Sequence, residues 1–133
     1  MLYGRRSVFY NVVQRMQYQT RSHENYADIA ATGNYDFQQL FSFIDHLKSE
    51  TERLRTKRLL VDCSELQGHI PEVDRFEGGQ KIAEVFGPFT QIAIILAPGT
   101  VTKLGELAAV NRGARVMVTD DRHEAEDWLM RDA

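Results

Sequence analysis

Asp62, Cys63 and His69 are residues whose types and spacing could do chemistry. A thiolate beside a histidine is a nucleophile pair, and a strand-ending aspartate can hold a phosphoryl group. Nucleophilic catalysis also needs an adjacent base and a group that orients it. Nothing around Cys63 and His69 supplies that third group, and a lone buried cysteine usually serves as a small hydrophobe. Aspartyl-phosphate chemistry needs an early acidic pair to hold Mg²⁺, which the first two strands lack. Asp120-Asp121 comes too late for that role and reads as a helix cap. The histidines, His23, His46, His69 and His123, form no i, i+4 pair, and one cysteine makes no CxxC. No metal site and no cofactor are therefore expected. There is no Walker lysine, no GxGxxG and no GxSxG elbow, so the chain is not expected to be an enzyme.

Ala97-Pro98-Gly99-Thr100 is a different kind of candidate. It places a tight turn at a strand end, with Thr100 expected to cap the following helix. Free N–H groups and the dipole at a helix start can receive an anion, and ligands of open α/β sheets favour this strand edge. A plain capped helix start accounts for the same residues.

The elements that must position these residues read as follows. Val8 to Thr20 and Tyr26 to Thr32 are strands joined as an antiparallel hairpin. Asp36 caps a helix whose stripe is Phe37, Leu40, Phe41, Ile44, Leu47 and Leu54. Its other face mixes charges, which argues against a membrane-surface helix. Leu59 to Val61 is a buried strand that ends at Asp62, Cys63 and Ser64. Pro71 suits the first turn of the next helix, whose apolar face is Val73, Phe76, Ile82, Ala83 and Phe86. Gly78 and Gly79 inside it permit a bend or a close backbone approach. Phe89 to Ala97 is the strongest strand. Val101, Leu104, Leu107 and Ala108 line the helix after it, and Gly113 ends that helix. Arg115 to Thr119 is the last strand. Asp120 or Asp121 then caps a helix that turns Ala125, Trp128 and Leu129 inward. The order β-β-α-β-α-β-α-β-α implies an α/β fold with a mixed, mostly parallel sheet of about five strands and four helices.

The 133 residues suit one domain, read as 8–133 with a loose extension at 1–7. Apolar residues are 43% and charged residues 26%, which excludes disorder. A formal charge of −3, with no run of Lys and Arg, points away from nucleic acid. The longest apolar run, Ile92 to Ala97, is too short to span a bilayer. The N-terminal apolar stretch is broken by Asn11 and Gln14, so no signal peptide is expected and a cytoplasmic location is.

Three stretches carry a resemblance to the STAS domain, specifically its SpoIIAA-like branch. They are Tyr26-Ala27-Asp28-Ile29-Ala30-Ala31-Thr32-Gly33, then Leu59-Leu60-Val61-Asp62-Cys63-Ser64-Glu65-Leu66. The third is Asn111-Arg112-Gly113-Ala114-Arg115-Val116 with Asp121, Glu124-Ala125 and Trp128-Leu129. The resemblance spans about residues 8 to 131 and implies a SpoIIAA-like fold. It also implies a non-enzymatic regulatory module that contacts a protein partner. In anti-anti-sigma members a Ser or Thr at the entrance of the second helix is phosphorylated to switch partners. Here Glu65 to Phe89 holds no Ser or Thr, so that switch is absent or moved to Ser64. A turn hydroxyl is the ordinary reading of Ser64.

The expected contact surface is Asp62 to Phe76, with His69, Ile70 and Phe76 as anchors. The alternative is a small apolar or lipid-like ligand, with membrane association, as the similarity of this branch to CRAL-TRIO domains implies. Helices on only one face of the sheet would leave the other bare for a ligand, for a second copy in a homodimer, or for residues 1–7.

Overall fold

A computed structural model describes residues 15–131. The extension at 1–7 and the start of the expected first strand lie outside the described residues. Within them, β1 is Gln17–Ser22 and β2 is Ala27–Thr32. Then come α1 Phe37–Arg53, β3 Arg58–Cys63, α2 Glu72–Phe86 and β4 Gln91–Leu96. The chain ends with α3 Leu104–Val110, β5 Arg115–Thr119 and α4 Arg122–Met130. The sheet order is β1-β2-β3-β4-β5. β1 and β2 are antiparallel, and every later pair is parallel. This is the mixed five-stranded sheet with four helices that the sequence implies.

Because neighbouring parallel strands follow each other in the chain, right-handed crossovers put α1, α2 and α3 on one face. That face carries Ile29, Leu59, Val61, Ile92, Val116 and Val118, packed with Phe43, Ile44, Leu47, Ile82 and Phe86 in the main core. The other face is not bare. α4 folds back across it and buries Ala125 and Leu129 against Leu60, Ala93 and Ile95. Gln17, Gln19 and Arg21 on β1 pair in register with Thr32, Ala30 and Asp28 and are exposed polar residues on this second face. The uncovered apolar face that a ligand or a second copy was expected to fill is therefore replaced by a helix and a polar edge strand.

Local details follow the residue types. Asp36 caps α1 by accepting from the N–H of Gln38. Asp121 caps α4 by accepting from the N–H groups of His123 and Glu124. The buried stripe of α1 is Phe43, Ile44, Leu47 and Thr51. Phe37 and Phe41, expected inside, are 46% and 42% exposed. Phe41 sits about 60° around the helix from Ile44 and about 120° from Leu47, where Lys81 of α2 lies over its ring. The two inner glycines of α2 are used differently. A Cβ on Gly79 would lie 2.2 Å from the carbonyl oxygen of Gly105, so α2 and α3 touch backbone to backbone there. A Cβ on Gly78 would meet only the end of Leu40, at 3.5 Å.

Candidate functional site

β3 and β4 are parallel neighbours, so they end at one edge and their exit loops face each other across it. The first loop is pinned by the backbone. Gln67 N–H donates to Gly33 O and Tyr35 N–H to Gln67 O, both at 2.8 Å. Arg75, one turn into α2, then ties the two loops together. Its Nε donates to Ile70 O at 2.9 Å, and its Nη1 donates to Thr100 O at 2.7 Å and Thr102 Oγ1 at 3.0 Å. Between the loops is a small cleft of about 40 Å³ lined by Cys63, Gly68, His69, Ile70, Ala97 and Thr100, among others. Burial pushes the Cys63 thiol up to about 12, which makes it inert rather than nucleophilic.

Beneath the helices, on the same half of the sheet, is a cavity of about 120 Å³. Its wall is almost wholly apolar: Leu40, Phe43, Ile44 and Leu47 from α1, and Val61, Ile94, Leu96, Val116 and Val118 from the sheet. Gly78 and Gly79 form part of its roof. Leu66, Ile70, Arg75 and Leu96 line both the cavity and the cleft, so these side chains separate them. The few polar groups at the wall have partners. Tyr35 Oη donates to Asp74 at 2.8 Å, and burial, with that carboxylate next, raises the phenol's pKa. Glu106 accepts from Val118 N–H at 2.6 Å.

An ionic network on the α4 face joins strands to helix. Asp28 of β2 is 2% exposed. Arg122, at the start of α4, donates to Asp28, to Asp62 at 3.1 Å and to Glu126 at 3.2 Å. His23 lies 3.3 Å from Asp28, and Tyr26 Oη donates to Glu126 at 3.1 Å. The other oxygen of Asp62 accepts from Ser64 N–H and from its hydroxyl, at 3.0 and 2.6 Å.

The sequence candidates therefore separate. His69, Ile70 and Thr100 come together at the cleft. Asp62 and Ser64 belong to the network that anchors α4. Phe76 is half-buried in α2, with the Arg112 guanidinium 5.9 Å from its ring. Gly99 donates its N–H to Asp120 at 3.3 Å, so a carboxylate of the chain already occupies the expected anion position. Thr100 does not cap a helix. Its hydroxyl donates back to Ala97 O at 2.7 Å, and α3 begins only at Leu104. Val101 and Thr102 are β-branched and delay the helix. Leu104 and Leu107, expected on the inner face of α3, are 37% and 51% exposed, while Ala108 and Ala109 are buried. The small side is inward because α2 sits so close. Sequence reasoning missed Arg75, Asp28 and Arg122. An aspartate in the middle of the apolar stretch Ala27 to Ala31 was the available signal for the network.

Among the described residues, no group of three His, Cys, Asp or Glu could hold a metal ion. Among them, too, no helix is long and apolar enough to cross a membrane.

No family model matches the sequence, and no curated protein matches it. Solved structures do. One is the crystal structure of an anti-sigma factor antagonist from Mycobacterium paratuberculosis, at 12% identity and TM-score 0.63. Another is an uncharacterised protein from the DUF3478 family with a SpoIIAA-like fold, from Shewanella loihica PV-4, at 20% identity and TM-score 0.53. Each match covers 88% of this chain and 95% of the other. The fold of this chain is SpoIIAA-like.

Proposed function

We propose that this chain is a non-enzymatic STAS-type regulatory module that acts by contacting a protein partner. The observation that carries this reading is the apolar exposure on two adjoining helices: Val73 on α2, 59% exposed, with Leu104, Leu107 and Val110 on α3. Monomer surfaces seldom hold such rows without a use, and apolar anchors carry most binding energy. His69, Ile70 and Phe76 border the same helix pair and complete the contact. The anti-sigma factor antagonist of like fold supports a regulatory role. The inert Cys63 and the engaged hydroxyl of Ser64 favour binding over catalysis. The test is a photo-crosslinking residue at Leu107 in cells, against the same residue at Glu124 on α4. A discrete adduct from position 107 that disappears with Val73→Asp is expected. Equal labelling from both positions would sink the reading.

The cavity favours a second reading, a small apolar ligand held inside the fold. Its volume approaches that of an engineered cavity of about 150 Å³ that binds benzene. Membrane association belongs to this reading, and a homodimer, with a second copy as the partner, belongs to the first. Native mass spectrometry, repeated under denaturing conditions, reports adduct mass and copy number together. A bare monomer mass in both would remove ligand and homodimer at once.

A further inference from the structure

The formal charge of −3 conceals a separation of charge. β3, β4 and β5 are parallel, so the segments that enter them share one edge of the sheet. Residues 54–58, 87–91 and 110–115 are those segments, and they contain no Asp or Glu. Their cations gather there. Arg58, Gln91 and Arg115 are side by side in register, and Gln91 N–H donates to Lys57 O at 2.8 Å. α4 brings its C-terminal end to the same place, since Gln91 Nε2 donates to Trp128 O at 2.8 Å, and Arg131 follows. Arg55 and Lys57 line one shallow cleft with Lys48, Phe89 and a single carboxylate, Glu52. Of the carboxylates nearest along the chain, Glu50 and Glu52 pair with Arg53 and Lys48, Asp127 lies 3.5 Å from His123, Glu84 lines a second shallow cleft with Arg112, and Asp132 follows Arg131 in the chain.

Cations near helix C-termini also offset helix dipoles. That role does not cover Arg58 and Arg115, which open strands, or Lys57, which precedes one. Nor does it cover Phe89. This side chain sits on the turn between α2 and β4 and is 73% exposed, more than any other large apolar residue described. Met130, at the end of α4, is 41% exposed.

We propose that this strand-entry edge is a docking surface for an anionic lipid bilayer, with Phe89 entering the headgroup boundary and Arg55, Lys57, Arg58, Arg115 and Arg131 facing the lipid phosphates. The proposal rests on the membrane-association part of the second reading and names the surface that performs it. Cations beside exposed apolar side chains suit an interface that is negative outside and apolar just beneath. The acidic residues Glu65, Asp120, Asp121 and Glu124 lie toward the opposite edge, which orients the molecule with its basic edge to the membrane.

The test is flotation of the full chain with phosphatidylcholine vesicles and with vesicles that also contain phosphatidylglycerol. Binding to the anionic vesicles alone is expected. It should be lost in 1 M salt, where the screening length falls to about 3 Å. Lys57→Glu with Arg131→Glu should weaken it by roughly tenfold or more, and Phe89→Ser should weaken it while circular dichroism stays unchanged. Glu65→Lys with Glu124→Lys, which restores the four units of charge at the far edge, should not compensate the double variant. A wild-type chain that ignores both vesicles overturns membrane association itself. A chain whose binding is indifferent to Lys57, Arg131 and Phe89 overturns this surface and leaves membrane association standing. A single-stranded RNA bound in place of either vesicle would assign the edge to nucleic acid and end the proposal.

Discussion

The two faces of the sheet solve the same packing problem by different means. The face under α1, α2 and α3 buries a large apolar cluster yet leaves a cavity of about 120 Å³. The face under α4 buries few apolar side chains and secures its helix with Arg122 bonded to Asp28, Asp62 and Glu126. Three helices crossing one face must clear one another as well as the sheet, and glycines at the α2–α3 contact bring them close at the expense of side-chain volume. A single helix has no such conflict, but it offers one stripe only, and directional bonds make up the difference.

The strongest way to break the comparison is Arg122→Met. It leaves the buried Asp28 carboxylate without its guanidinium, and His23 is the polar side chain left beside it. A loss of about 3 kcal/mol in urea unfolding is expected, the low end for a broken buried pair, because Arg122 itself is partly exposed. No measurable loss would mean that apolar contacts alone hold α4.

Gly79→Ala probes the other face. Its methyl would collide with the Gly105 backbone and with Ala108, so about 2 kcal/mol of destabilisation should appear in thermal melts. Gly78→Ala is the matched contrast, with only Leu40 nearby and the cavity beside it. It should stabilise by about 0.5–1 kcal/mol through helix propensity. Equal effects at the two glycines would contradict the close α2–α3 approach.

The smallest effect is expected at Cys63. Its thiol, pushed up to about 12 by burial, should stay unlabelled by a maleimide in the native chain at pH 8. It should react at once in urea. Because the folded pKa is raised, the thiol stays neutral across the physiological range. A destabilising contribution would begin only as pH rises past the unfolded thiol value of about 8.5. Rapid native labelling would reopen nucleophilic chemistry at the cleft.

Much of the fold was legible in the residues themselves. Alternating short apolar runs and capped amphipathic stretches specified the element order. Asp36 and Asp121 marked their boundaries because capping is a local interaction between a side chain and the nearest peptide groups. The candidate site was legible only in part. His69, Ile70 and Thr100 could be singled out by type and position, but not that Arg75 joins their loops, since that contact spans 25 residues of chain from Arg75 to Thr100.

The sequence by itself determined the elements, their order and the parallel sheet, because periodicity, capping and crossover handedness act over short stretches. Tertiary structure alone decided which side of each helix is buried. Phe37, Phe41, Val73, Leu104 and Leu107 have the chemistry of core residues and lie exposed, and on α3 the close backbone approach of α2 turns the alanines inward. Tertiary structure also assembled the Asp28–Arg122 network, the cavity and the basic edge. Those depend on side chains far apart in the chain, and one-dimensional patterning carries no distance between them.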